Sequence, residues 1–155
     1  MRYFVDSEEG PIRNLDKVFR PLSVLRVLMQ TTIETIESER TVLEATQTMA
    51  EKRIGSLLVL KAGDMGGIVT ETTVVRNVIA AGLPARSTSV EAVMTAPLIQ
   101  IDINDTACDA SRLMAEKRTR HLAVMEDNKV AGLLSVRDLV KVVSIRDEPR
   151  FLSNM

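Results

Sequence analysis

A glycine, a hydroxyl and a carboxylate stand at fixed spacing in Gly132-Leu-Leu-Ser135-Val-Arg-Asp138, where a short apolar run gives way to a helical pattern. A helix N-terminus presents backbone N–H groups without intrahelical partners and carries partial positive charge, so a phosphate docks there without requiring a basic side chain. The same residues have a plainer use. A serine followed three residues later by a carboxylate caps a helix and offsets its macrodipole whether or not a ligand is present.

The elements that hold this stretch occur twice. Met49-Ala-Glu-Lys-Arg53 recurs as Met114-Ala-Glu-Lys-Arg118, and the same offset of 65 runs without a gap from residues 28–79 onto 93–144. Fourteen of the fifty-two aligned pairs are identical, among them Met29/Met94, Ile36/Ile101, Ala45/Ala110, Leu57/Leu122 and Gly67/Gly132, which is more than unrelated segments would share. Thr41-Val-Leu-Glu44 has the form of a capping box and puts Val42, Ala45 and Met49 on one helical face. Thr106-Ala-Cys-Asp109 opens a matching helix to about Lys117, with Ala107, Ala110 and Met114 inward. Ser56-Leu-Leu-Val-Leu60 and His121-Leu-Ala-Val-Met125 read as strands covered on both faces. Ala62-Gly-Asp64 and Asp127-Asn128 are turns, and Gly67-Ile-Val and Gly132-Leu-Leu return as hairpin partners. Helices then start near Thr70 and Ser135 and run through Val74, Val75 and Val78, and through Leu139, Val140 and Val143. The fold class is α+β, each repeat being strand, helix, strand, strand, helix.

Composition narrows the function. With 155 residues, 45% hydrophobic and 26% charged, the chain suits a globular protein, and it contains no run near the roughly 18 apolar residues of a membrane span. A net charge of −1 lacks the broad basic field expected of a nucleic-acid binder. The first residues turn acidic before an apolar core of a secretory signal forms, which predicts a cytoplasmic protein. Cys108 is the lone cysteine and is expected to be a small buried hydrophobe; His121, the lone histidine, is expected to be structural. Nucleophile–base pairs, metal clusters and Walker-type phosphate loops are missing from the sequence, so an enzyme and a catalytic cofactor or metal are not expected.

The duplicated order of elements, with Arg-Ile-Gly-Ser-Leu-Leu-Val (53–59), Arg-Thr-Arg-His-Leu-Ala-Val (118–124), Val93-Met94-Thr95 and the Gly-x-x-Ser/Thr-x-x-Asp turn, resembles the cystathionine-beta-synthase (CBS) domain in its tandem arrangement, the Bateman module. That resemblance implies two CBS repeats packed with pseudo-two-fold symmetry, residues 26–80 and 91–146, joined by a linker at 81–90 and flanked by an N-terminal arm, 1–25, and a C-terminal tail, 147–155. It implies a stand-alone regulatory or signal-transduction module holding AMP, ADP, ATP or NAD, ahead of S-adenosylmethionine, in a cleft between the repeats, and a homodimer acting on a protein that the sequence does not name.

In that reading Ser135 and the turn Gly132–Asp138 hold phosphate, Arg120 and Arg137 add cationic donors beside Val136, and the Asp138 carboxylate accepts both ribose hydroxyls. Adenine lies against Ala45 and the backbone of Ile54 and Gly55. The first repeat keeps Gly67 and Thr70, but its ribose carboxylate is replaced by Thr73 and Glu71 would repel phosphate, so its site is expected to be weaker. Tyr3, Phe4, Phe19 and Phe151 all lie outside the repeats, and base stacking in the cleft is not expected. The alternative is a ligand-free dimerisation or protein-interaction scaffold in which Ser135 and Asp138 only cap a helix.

Overall fold

The computed structural model describes residues 24–146, with side chains through residue 141. Most of the arm, the tail, the four aromatic residues and the side chain of Val143 lie outside the described residues. In chain order the elements are α1 (Val24–Leu28), β1 (Thr35–Glu37), α2 (Val42–Lys52), β2 (Ser56–Lys61), β3 (Asp64–Thr70), α3 (Glu71–Val74), β4 (Gln100–Asp102), α4 (Ala107–Lys117), β5 (His121–Glu126), β6 (Lys129–Ser135) and α5 (Val136–Arg146). The α+β repeat of strand, helix, strand, strand, helix is present twice.

Local chemistry sets the helix ends. Glu44 donates its N–H to Thr41 Oγ1 at 3.2 Å while the Glu44 carboxylate accepts the Thr41 N–H at 2.8 Å, and Thr106 with Asp109 repeats this at 3.0 and 3.2 Å. Each helix stops at an arginine in the left-handed region, Arg53 at φ 54° and Arg118 at φ 51°, whose N–H turns back onto carbonyls of the last turn. The buried faces are Val42, Ala45 and Met49 on α2 and Ala107, Ala110 and Met114 on α4. Cys108, beside that face, is only partly buried rather than a core hydrophobe.

Each helix crosses over between two parallel strands, β1 with β2 and β4 with β5, and a hairpin adds the third strand, β3 or β6. The hairpin turns are Ala62-Gly63 and Asp127-Asn128, all four residues at positive φ, as a two-residue turn matched to strand twist requires. Asp64, expected in the turn, is instead the first residue of β3 and pairs with Lys61. Leu57, Leu58 and Val59 are fully buried, and so are Leu122, Ala123 and Val124, which explains why both strands are apolar without alternation. The first repeat departs in its last helix: α3 widens into a π-helical turn, Val75–Ile79, whereas its counterpart α5 is an α-helix throughout.

The chain divides into two compact units, residues 32–99 and residues 1–31 with 100–155, so units and sequence repeats partition it differently. Within 32–99, Val90 and Val93 join the core of Ile36, Val42, Val59 and Val69, and the Val90 N–H donates to Arg40 O at 2.8 Å. The segment then pairs with β3 through Ile68 N–H to Thr95 O, 3.0 Å, and Thr95 N–H to Ile68 O, 2.9 Å. The other unit uses the same device. Leu25 is fully buried, and Gln30 and Leu133 exchange two backbone hydrogen bonds of 2.9 Å. Arg26 adds an ion pair to Glu126.

Both pairings rest on a glycine. A Cβ on Gly67 would lie 2.6 Å from Thr95 O, and one on Gly132 would lie 2.6 Å from Met29 Sδ and 2.9 Å from Gln30 O. Gly67→Ala is therefore expected to destabilise by about 1–3 kcal/mol, and Gly132→Ala by less, because its nearest obstacle is a flexible thioether and its backbone obstacle, Gln30 O at 2.9 Å, lies farther off than Thr95 O at 2.6 Å. Urea unfolding of the two variants checks the order; equal or reversed losses would contradict it.

Candidate functional site

Ser135 ends β6 and serves as the N-cap of α5, which puts Asp138 at the third helical position. The Ser135 N–H donates to Asp138 Oδ2 at 2.9 Å, the Ser135 hydroxyl donates to the same oxygen at 2.5 Å, and Asp138 returns its N–H to Ser135 Oγ at 3.3 Å. The other oxygen, Oδ1, accepts from Lys141 Nζ at 2.9 Å. Gln30 Nε2 approaches both oxygens at 3.4 and 3.5 Å. The Asp138 side chain is 0% exposed, whereas the carboxylates of the other two capping boxes, Glu44 and Asp109, are each 37% exposed. Burial pushes the Asp138 carboxyl up, but donation from Ser135, Lys141 and Gln30 outweighs it and holds the group below its ordinary value of 3.8. It is a buried, ionised acceptor. Beside it His121, paired in register with Ser135, is lowered from 6.5 chiefly by burial; Asp138 pulls the other way and Arg120 reinforces the shift.

Other residues singled out in the sequence take separate places. Arg120 and Arg137 are exposed cations in the same unit, but the Arg120 carbonyl accepts the Val136 N–H at 3.0 Å. With the Asp138 N–H held by Ser135, two of the first three N–H groups of α5 are closed by protein, so the helix start offers less to a phosphate than expected. Gly132 is buried under Met29 and serves chain packing. Ala45 is fully buried in the core of the 32–99 unit. Ile54 is half-buried against that core, and its N–H donates to Met49 O. Gly55 is exposed, but its carbonyl accepts the Glu71 N–H at 3.0 Å and a Cβ there would sit 3.2 Å from Glu71 Oε2.

The first-repeat counterpart is neutral. Thr73 donates its N–H to Thr70 Oγ1 at 3.1 Å, and the two hydroxyls lie 3.0 Å apart. Gly67 accommodates Thr95, as Gly132 accommodates Gln30. Two residues beside Asp138 were missed in the sequence. Lys141 was legible as an i,i+3 partner of a first-turn carboxylate, while Gln30 lies 108 positions away and left no local signal. Among the described residues no group of His, Cys, Asp and Glu is arranged to hold a metal, and no helix is long and apolar enough to cross a membrane.

The family model for the CBS domain matches residues 24–80 and 90–145. The chain belongs to the CBS-domain family. It is 32% identical over 111 residues to the mitochondrial CBS domain-containing protein CBSX3 of Arabidopsis thaliana, covering 68% of this chain and 54% of that protein, so it spans about half that relative's length. It is 28% identical to YhcV of Bacillus subtilis, covering 76% of this chain and 84% of that one. Among solved structures, a CBS-domain protein of Burkholderia ambifaria is 39% identical with a TM-score of 0.72, covering 79% of this chain and 90% of that chain. ATU1752 of Agrobacterium tumefaciens is 28% identical with a TM-score of 0.73, covering 81% and 97%. A hexameric CBS-CP12 protein of bloom-forming cyanobacteria is 28% identical with a TM-score of 0.71, covering 82% and 75%. CBS domains are regulatory modules that generally hold adenosyl ligands, and these relatives carry CBS-domain names rather than enzyme names.

In this CBS unit the two titrating neighbours predict a pH profile. Both folded-state values lie below the unfolded ones, so each contribution is full above the unfolded value and is lost as pH falls towards and through the folded value. The His121 loss starts below about 6.5 and the Asp138 loss only below about 3.9. Stability is expected to fall between about pH 7 and pH 5, and His121→Asn to flatten that slope whatever its own stability. Urea unfolding across the range checks it; an unchanged slope in the variant would remove His121 from the account. Asp138→Ala at neutral pH is expected to cost about 1–3 kcal/mol, more than Asp109→Ala, because it strips a buried cap of its acceptor.

Proposed function

We propose that this chain is a regulatory module that senses an adenine nucleotide, AMP, ADP, ATP or NAD ahead of S-adenosylmethionine, through the second-repeat carboxylate Asp138. The observation that carries the reading is the burial of that carboxylate. A helix cap does not need its acceptor removed from water, as Glu44 and Asp109 demonstrate, and an ionised carboxylate held out of water is costly unless donors meet it. A ribose, with two adjacent hydroxyls, supplies donors of the required kind. Oδ2 is tied down by the Ser135 backbone and hydroxyl, whereas the remaining donors, Gln30 and Lys141, are exposed side chains that can yield to a sugar. Arg120 and Arg137 supply exposed cations for the phosphates. The neutral Thr70–Thr73 cap offers the first repeat only uncharged hydroxyl acceptors, and Glu71 beside Gly55 repels phosphate, which supports a weaker site there. We take the module to be cytoplasmic, to form a homodimer and to act on a separate regulated protein.

The scaffold reading has one observation in its favour: Ser135 and Asp138 complete a reciprocal cap from their own backbone and side-chain groups. Calorimetric titration separates the two. Nucleotide is expected to bind at about one site per chain and to stabilise by about 2.7 kcal/mol at a hundred times its dissociation constant. Asp138→Asn and the 2′-deoxy and 3′-deoxy analogues are each expected to weaken binding roughly tenfold or more, as a lost hydrogen bond to a charged group does. Two equal sites, or a flat response to all five adenosine compounds, would overturn this reading, the second in favour of the scaffold.

A further inference from the structure

Among the described residues, Gln30 is the hydrogen-bond partner of Asp138 that comes from far along the chain, and its geometry differs from the others. Ser135 and Lys141 each meet one oxygen at 2.5–2.9 Å, but Gln30 Nε2 stands 3.4 Å from Oδ1 and 3.5 Å from Oδ2. A donor nearly equidistant from both oxygens lies on the outer, bidentate edge of the carboxylate. That is the edge on which two adjacent sugar hydroxyls dock, each donating to one oxygen. The amide is held there by its backbone, since Gln30 and Leu133 exchange two 2.9 Å hydrogen bonds over Gly132. The side chain is exposed and its bonds are long, so it can swing away while the backbone stays.

We infer that Gln30 occupies the diol seat of Asp138 in the empty module and sets nucleotide affinity by competing with the ribose. This rests on the nucleotide reading above and adds to it an internal competitor. Gln30 keeps the buried carboxylate partnered when no sugar is bound, and it makes binding an exchange of donors rather than the filling of a vacant acceptor. The repeat shows what a module without the competitor carries. The residue equivalent to Gln30 is Thr95, whose side chain ends at the γ position, and opposite the equivalent turn stands the uncharged Thr73.

Titration of the full chain with AMP, ADP, ATP and NAD, comparing wild type with Gln30→Ala and Gln30→Thr, tests the inference. Both variants are expected to bind the ribose-bearing nucleotides about two- to tenfold more tightly, the equivalent of one modest hydrogen bond. Affinity for 2′,3′-dideoxy-ATP, which has no diol to claim the seat, should be unchanged. A second readout needs no ligand: the Asp138 carboxyl carbon, followed by NMR, should titrate at higher pH in Gln30→Ala. If wild type binds and the variants bind equally or more weakly, or if the Asp138 titration does not move, the competitor role is wrong and the nucleotide reading stands. If neither wild type nor variant binds any of the four, the nucleotide reading itself has failed and takes the competitor with it.

Discussion

Two places where backbone meets backbone with no room for a Cβ, Gly67 against Thr95 and Gly132 against Gln30, are the constraint on which the rest of this structure depends. Each brings the segment leading into a repeat within hydrogen-bonding distance of a third strand, and each is closed by two reciprocal N–H to carbonyl bonds. The consequences spread outward from there. The residues after Thr88 bury Val90 and Val93 in one core, and the α1 segment buries Leu25 and Met29 in the other unit. A compact unit is therefore not a contiguous repeat. At Gly132 the same approach delivers Gln30 to the edge of Asp138, so a packing requirement of the sheet also determines which polar group faces the candidate site.

What was legible in the sequence was whatever is encoded within a few residues. The capping boxes at Thr41 and Thr106, the inward faces of α2 and α4, the apolar strands and the two turns all depend on neighbours at i+1 to i+4, and the duplication at an offset of 65 let each copy vouch for the other. Features that reach beyond a few residues have a different origin. Ala45 is expected on the inward helical face and against adenine; the structure shows the first, with Ala45 in the core of its unit. At Gly55 the nearest group to a would-be Cβ is the exposed Glu71 carboxylate, a neighbour that the sequence pattern does not announce. Gln30 beside Asp138 and the swapped partition of the units are long-range pairings, for which no local periodicity exists.

The electrostatics follow from the same geometry. Glu44 and Asp109 do the ordinary work of a capping carboxylate while remaining more than a third exposed, so solvent shares the task of stabilising their charge. Asp138 has no such help. Its charge is held by a backbone N–H, a hydroxyl, an ammonium and a distant amide, and His121 alongside is kept neutral more by its own burial than by any partner. The two groups interact through charge, so a protonation at either one shifts the titration of the other and couples their contributions to the pH response of stability.

The first repeat shows that none of this is needed for folding. Thr70 caps α3 by accepting the Thr73 N–H, and the paired hydroxyls of Thr70 and Thr73 satisfy one another without any charge. A neutral cap leaves nothing to neutralise: the residue equivalent to Gln30 is Thr95, and Arg76, at the position equivalent to Lys141, has no carboxylate at residue 73 to meet. If capping were the whole task at Ser135, the threonine solution would serve there too and avoid the cost of desolvating a carboxylate, which is several kcal/mol for an unpaired ion. The second repeat instead carries the charge and surrounds it with donors that differ in how firmly they are held: Ser135 fixed by the fold, Lys141 and Gln30 replaceable. An acceptor with one oxygen tied to the fold and the other met by exposed side chains is the feature on which the nucleotide proposal rests.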